Sequence, residues 1–140
     1  MRKTEQKLWD RMRKNVPDDF LVKRVENLVE TGMPDTVGIV KESGKVFWIE
    51  MKSIENIPVR ADTPLLNVNK GCSQEQKNWH MQWWVAKGTS YILVGVGSDQ
   101  MLLLGCLADQ INMMSFTDMA HASVATQWDD IFDFIKGFSR

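Results

Sequence analysis

Residues 32–52 read GMPDTVGIVKESGKVFWIEMK, and the architecture turns on this stretch. Thr31-Gly32-Met33-Pro34 is a turn signal. Asp35 to Glu42 holds Val37, Ile39 and Val40 and reads as a strand. Ser43-Gly44 is a tight hairpin turn, and Lys45 to Lys52 returns as a second strand beside the first. Side chains alternate along a strand, so Val46, Trp48, Glu50 and Lys52 share one face, and Phe47, Ile49 and Met51 point the other way into a core. The hairpin then sets Asp35, at the start of the first strand, beside Glu50 near the end of the second. Two carboxylates and a lysine converge with no long-range assumption beyond one turn.

Working outward, residues 3–14 read as a helix in which Glu5, Leu8, Trp9 and Met12 fall on one face. Pro17-Asp18-Asp19 is a break. Phe20 to Asn27 is rich in β-formers and reads as a strand or a helical turn. On the other side of the hairpin, residues 53–72 form a connection containing Pro58, Pro64 and Gly71, of a length that marks function or disorder. Ser73 caps a helix running to about Lys87, which Gly88 ends. Tyr91 to Val96 and Met101 to Leu104 are strands around the turn Gly97-Ser98-Asp99. A last helix over residues 125–137 gathers Trp128, Ile131, Phe132 and Ile135 on one face. The order predicts an α/β sandwich with a mixed sheet, one domain spanning residues 1–140.

Composition narrows the function. The hydrophobic fraction of 44% and charged fraction of 25% are those of an ordinary folded domain. No apolar run is long enough to span a bilayer, and Met1 to Gln6 lacks the apolar stretch of a secretion signal, so the expected compartment is the cytoplasm. Cys72 and Cys106 have no metal-ligand spacing, and His80 and His121 are too few for a histidine-rich metal site. A bound metal must be held by carboxylates, which selects a hard ion such as Mg²⁺, with Mn²⁺ able to substitute. The net charge of −1 does not itself point to DNA. Residues 1–88 nevertheless hold 15 Lys/Arg against 12 Asp/Glu, and residues 89–140 hold two against six. That asymmetry is compatible with one DNA-facing side, and equally with a mixed solvated surface.

Asp35 and Glu50 together suit a divalent cation that neutralises phosphate charge and lowers the pKa of water. The main-chain carbonyl of Met51 can add an oxygen ligand. Lys52 can orient the attacking water or stabilise transition-state charge. The bland alternatives are a turn aspartate after proline and a surface ion pair between Glu50 and Lys52.

Pro34-Asp35 followed by Glu50-Met51-Lys52 resembles the PD-(D/E)XK nuclease superfamily. The Gly-x-Pro-Asp form and the small size are most similar to its VRR-NUC group and to phage-type Holliday-junction resolvases. The resemblance covers residues 5–96 and leaves the acidic C-terminal third unmatched. It implies a restriction-endonuclease-like mixed central sheet flanked by helices, and a Mg²⁺-dependent endonuclease acting on branched DNA in recombination, repair or replication. It also implies site roles for Glu5 on the first helix, with Glu26 and Glu30 as alternatives, and for Gln76 in Gln76-Lys77-Asn78-Trp79. Arg24, Arg60 and Lys70 are candidate phosphate contacts. Symmetric cutting of two strands suits a homodimer, with the apolar face of the last helix as a candidate interface. The rival readings are a sequence-specific restriction-type nuclease and a catalytically silent nucleic-acid-binding module on the same fold.

Overall fold

The structure, a computed structural model, describes residues 3–25 and 31–140. Five strands form one sheet in sequence order: β1 (Phe20–Arg24), β2 (Thr36–Val40), β3 (Val46–Ile54), β4 (Ser90–Val96) and β5 (Asp99–Leu104). Neighbours are antiparallel except β3 and β4, which run parallel. A parallel pair needs a crossover. Here it carries α2 (Asn67–Lys70) and α3 (Gln74–Val85). With α1 (Lys3–Lys14), α4 (Phe116–Ala122) and α5 (Trp128–Gly137), the chain is the mixed α/β sheet flanked by helices that its pattern predicts.

The β2–β3 hairpin forms with a longer turn than the tight one expected at Ser43-Gly44. Gly44 adopts φ +73° and returns its N–H to the Val40 carbonyl at 2.8 Å, while Val40 N–H meets the Lys45 carbonyl at 2.9 Å. Residues 41–45 are therefore all turn. β3 runs two residues past Lys52 because β4 keeps pairing with it, Ser53 opposite Gly95 and Ile54 opposite Val96. β1 settles as a strand of five residues rather than a helical turn.

The sheet divides two cores. On one face, Leu8, Trp9 and Met12 of α1 and Ile131, Phe132 and Ile135 of α5 pack on Phe47, Ile49 and Met51 of β3. The apolar face of α5 is spent in this core, which corrects its expected role as a subunit interface. On the other face, Leu65, Leu66 and Cys72 of the long connection join Ile92, Val94, Leu103, Ile111 and Met119. The connection is thus a packed cover. The Asn112 side-chain amide holds both the N–H and the carbonyl of Cys72 at 2.8 Å, and Leu65 N–H reaches the Met114 carbonyl at 2.9 Å. The C-terminal third also shields the last strand, since Leu102 exchanges main-chain hydrogen bonds with Val124 and Ala125 on the free edge of β5.

Candidate active site

β2 and β3 pair with Thr36 opposite Ile49, and one further step of that register sets Asp35 against Glu50. From Glu50 onward no described strand pairs with β3 on that edge, and the Met51 amide turns to the Asp35 carboxyl. Period two then lines up Glu50 and Lys52 on the face covered by α3. Both are buried, with 4% and 8% of their surface exposed. Their Nζ–Oε2 separation is 3.9 Å. This is no surface ion pair, and the distinction matters because a buried carboxylate must be paid for by its surroundings.

Those surroundings come from α3. Ser73 caps the helix by accepting from Gln76 N–H at 3.2 Å, and Gln76 Oε1 accepts in return from Ser73 N–H at 2.9 Å. The same Oε1 accepts from Lys52 Nζ at 3.0 Å. Two groups that only donate fix the orientation of the amide, so Nε2 faces the carboxylate and donates to Glu50 Oε2 at 3.3 Å. One glutamine thus ends a helix, holds the lysine and holds the glutamate.

Electrostatics matches the geometry. Burial pushes the Glu50 carboxyl up to about 8, opposed by Lys52 and reinforced by Asp35 and Glu5. Burial also raises Asp35, against the pull of the Arg24 guanidinium, its own main chain, Lys52 and the Met51 amide. Two carboxyl groups whose proton affinity burial raises, one of them, Glu50, raised further by the charge of Asp35 and carrying a buried oxygen (Oε1) with no hydrogen-bond partner, form a donor pair suited to a divalent cation. No cluster of three or more His, Cys, Asp or Glu side chains arranged for a metal occurs among the described residues. Among the described residues, these two carboxylates with main-chain or solvent oxygen are the donor set the geometry offers such an ion.

The remaining expected residues fall in three places. Glu5, half-buried on α1, is close enough for its charge to act on Glu50. Glu26 and Glu30 lie outside the described residues. Arg24 donates to Gln6 Oε1 at 3.1 Å and sits 5.8 Å from the Trp9 ring centroid, tying β1 to α1 beside Asp35. Lys70 lines a cleft of about 470 Å³ with Thr4 and Ser53, just past Lys52 on β3, and Arg60 borders a separate hollow with Ile57 and Phe116. A cleft of about 700 Å³ between Glu55 and Gln127 contains none of the expected residues. A site that works on a long polymer needs an open edge more than a deep cavity.

The sequence reading missed what stands behind Glu50. His80, fully buried, places Nε2 4.0 Å from Glu50 Oε1. Burial, with Lys52, holds its ring down at about 4. The signal was the i, i+4, i+8 spacing of Gln76, His80 and Trp84, one stripe of α3 that mixes polar groups into its sheet-facing side. Trp79 and Trp83 stay partly exposed, stacked 5.0 Å apart, with Trp48 edge-on to both.

No protein-family model matches the chain, and no curated protein matches it in sequence. Among solved structures, the chain is similar to Hjc of Archaeoglobus fulgidus, a Holliday junction resolvase from an archaeal hyperthermophile. The match has a TM-score of 0.56 over 86% of this chain and 93% of that one, at 12% identity. At that identity the likeness is one of fold, the restriction-endonuclease-like arrangement expected from the sequence.

Proposed function

We propose that the chain is a metal-dependent endodeoxyribonuclease of the PD-(D/E)XK type, close to the VRR-NUC and phage-resolvase forms, that cuts branched DNA such as four-way junctions. The observation that carries the reading is the convergence of Asp35, Glu50, Lys52 and Gln76 at one end of β3, with a carboxylate and an ammonium buried together. Burial at this cost, where an apolar pair would be more stable, is explained by chemistry. The shared fold with a Holliday junction resolvase supports the choice of substrate.

In this reading Asp35, Glu50 and the Met51 carbonyl hold Mg²⁺, with Mn²⁺ as a substitute. The bound ion supplies neutralisation of phosphate charge and acidification of water. Lys52 carries a positive charge to the reacting phosphate, and Gln76 keeps its ammonium from collapsing onto Glu50. Glu5 adds negative charge from α1 on the cation side. Lys70 and Arg60, on the connection, and Arg24, beside Asp35, contact the phosphate backbone. The chain acts as one domain and pairs as a homodimer so that two strands are cut symmetrically. The compartment that goes with this reading is the cytoplasm, that of the host cell if the chain is phage-encoded.

The test is cleavage of four-way junctions, flaps, linear duplex and single strands with Mg²⁺, Mn²⁺ or EDTA. Junction cleavage that EDTA stops, and that Asp35→Ala and Glu50→Ala each abolish while junction binding persists, is the expected outcome. Preference for linear duplex of one sequence would favour a restriction-type enzyme. Binding with no cleavage of any form would leave a silent module.

A further inference from the structure

The buried side of Glu50 is built as carefully as its open side. Gln76 serves Oε2, while Oε1 and His80 Nε2 face each other across 4.0 Å and neither has a hydrogen-bond partner. The other ring nitrogen is engaged, with His80 Nδ1 2.7 Å from Ser90 Oγ. Ser90 Oγ in turn accepts from Trp84 Nε1 at 2.8 Å, a group that only donates. The hydroxyl proton of Ser90 is then free to be given to Nδ1, which leaves the neutral ring with its proton on Nε2, aimed at Glu50. Gly105 closes the arrangement from the turn after β5. A Cβ there would stand 2.0 Å from Ser90 Oγ and 2.8 Å from His80 Nδ1. Only glycine leaves room for the pair.

We propose that His80, set by Ser90 and Trp84, is a positioning residue that donates from Nε2 to Glu50 Oε1 and fixes the carboxylate that holds the cation. The inference rests on the metal-dependent reading above. A carboxylate must be ionised to hold a cation, and an ionised oxygen buried without a donor is costly. Among the described residues, His80 is the side chain placed to supply that donor, after a small rotation that shortens 4.0 Å to a hydrogen bond. Held from both oxygens, by His80 and by Gln76, Glu50 keeps one orientation, and such outer partners tune metal affinity by roughly 10–100-fold.

The deciding experiment reads the tautomer of His80 by long-range ¹H–¹⁵N correlation on the wild-type chain, with and without Mg²⁺. Mg²⁺ affinity is measured in parallel by calorimetry on His80→Gln and His80→Phe. The expected result with Mg²⁺ is a neutral ring protonated at Nε2, whose signals shift in Glu50→Gln. Glutamine keeps an N–H at the Nε2 position and should hold Mg²⁺ affinity within about threefold, whereas phenylalanine should lose roughly tenfold. A ring protonated only at Nδ1 in the Mg²⁺-loaded chain, or wild-type Mg²⁺ affinity in His80→Phe, overturns the proposal. The first of these also reports a histidine that ligates the metal directly. A wild-type chain that binds no Mg²⁺ or cuts no DNA sinks the nuclease reading instead. The tautomer read without metal at alkaline pH, where Glu50 is ionised, and its response to Glu50→Gln need no His80 variant that folds and still decide the contact.

Discussion

Toward its C-terminal end β3 is buried on both faces, and the two are chemically opposite. Phe47, Ile49 and Met51 have no exposed surface and meet α1 and α5 in an apolar core. Glu50 and Lys52, on the alternate positions, are almost as enclosed, and their polar neighbours on α3 are Gln76 and His80, the latter held by Ser90 of β4. Removing apolar surface from water stabilises a fold by about 25 cal/mol per Å². Burying a carboxylate costs several kcal/mol unless partners replace its water. One face of a single strand therefore holds the fold together, and the other is tolerated by it. That division predicts which measurements separate stability from activity.

The largest expected loss of stability comes from the apolar face. Phe47 meets Phe20 and Tyr91 edge-on, with ring centroids 5.9 and 6.3 Å away. Phe47→Ala should cost about 3–5 kcal/mol in urea unfolding. Single-turnover cleavage by the fraction still folded at low temperature should be near normal. A cleavage defect larger than the folded fraction explains would break the division between the faces.

Lys52→Met inverts this pattern. It keeps the stem and removes the charge held by Gln76 Oε1. Single-turnover cleavage should fall by at least about 100-fold, roughly 3 kcal/mol of barrier, while Mg²⁺ binding and the thermal midpoint change little. Near-normal cleavage would remove the lysine from the mechanism.

Glu50→Gln sharpens the comparison through pH. A carboxyl raised from 4.5 to about 8 in the fold binds its proton more tightly there than in the unfolded chain. Its stabilising contribution is complete below about pH 4.5 and is lost as pH rises through about 8, at no more than ~1.4 kcal/mol per pKa unit. His80, lowered to about 4, works with the opposite sign as pH falls below 6.5. The informative quantity is therefore the difference between variant and wild type without metal. The thermal midpoint of Glu50→Gln should gain on wild type steadily between pH 4.5 and 8. A difference independent of pH would mean that Glu50 ionises freely in the fold.

The smallest effect is at the helix cap. Ser73→Ala removes the acceptor for Gln76 N–H but leaves the Ser73 amide on Gln76 Oε1. It should cost about 1 kcal/mol, with cleavage within a few-fold of wild type. A much larger rate loss would show that the cap, as well as the Gln76 side chain, sets the site.

The sequence by itself determined the hairpin, the alternation along β3 and the meeting of Asp35, Glu50 and Lys52. All three depend on local rules: a turn joining two strands, a period of two, and the register one turn imposes. It also marked the helix over residues 74–85 through the Ser73 cap, and the resemblance of Gln76-Lys77-Asn78-Trp79 to a nuclease motif singled out Gln76 on it. Only the tertiary structure decided that Glu50 and Lys52 are buried, that His80, Ser90 and Trp84 stand behind Glu50, and that α5 fills a core. Those facts depend on which surfaces meet across the sheet, and that contact brings residues 26 to 42 positions away to one carboxylate. Hydrophobic periodicity says that a face will be covered. What covers it is settled by packing between distant segments, and two polar residues in a helix stripe carry no mark of the partner they will find.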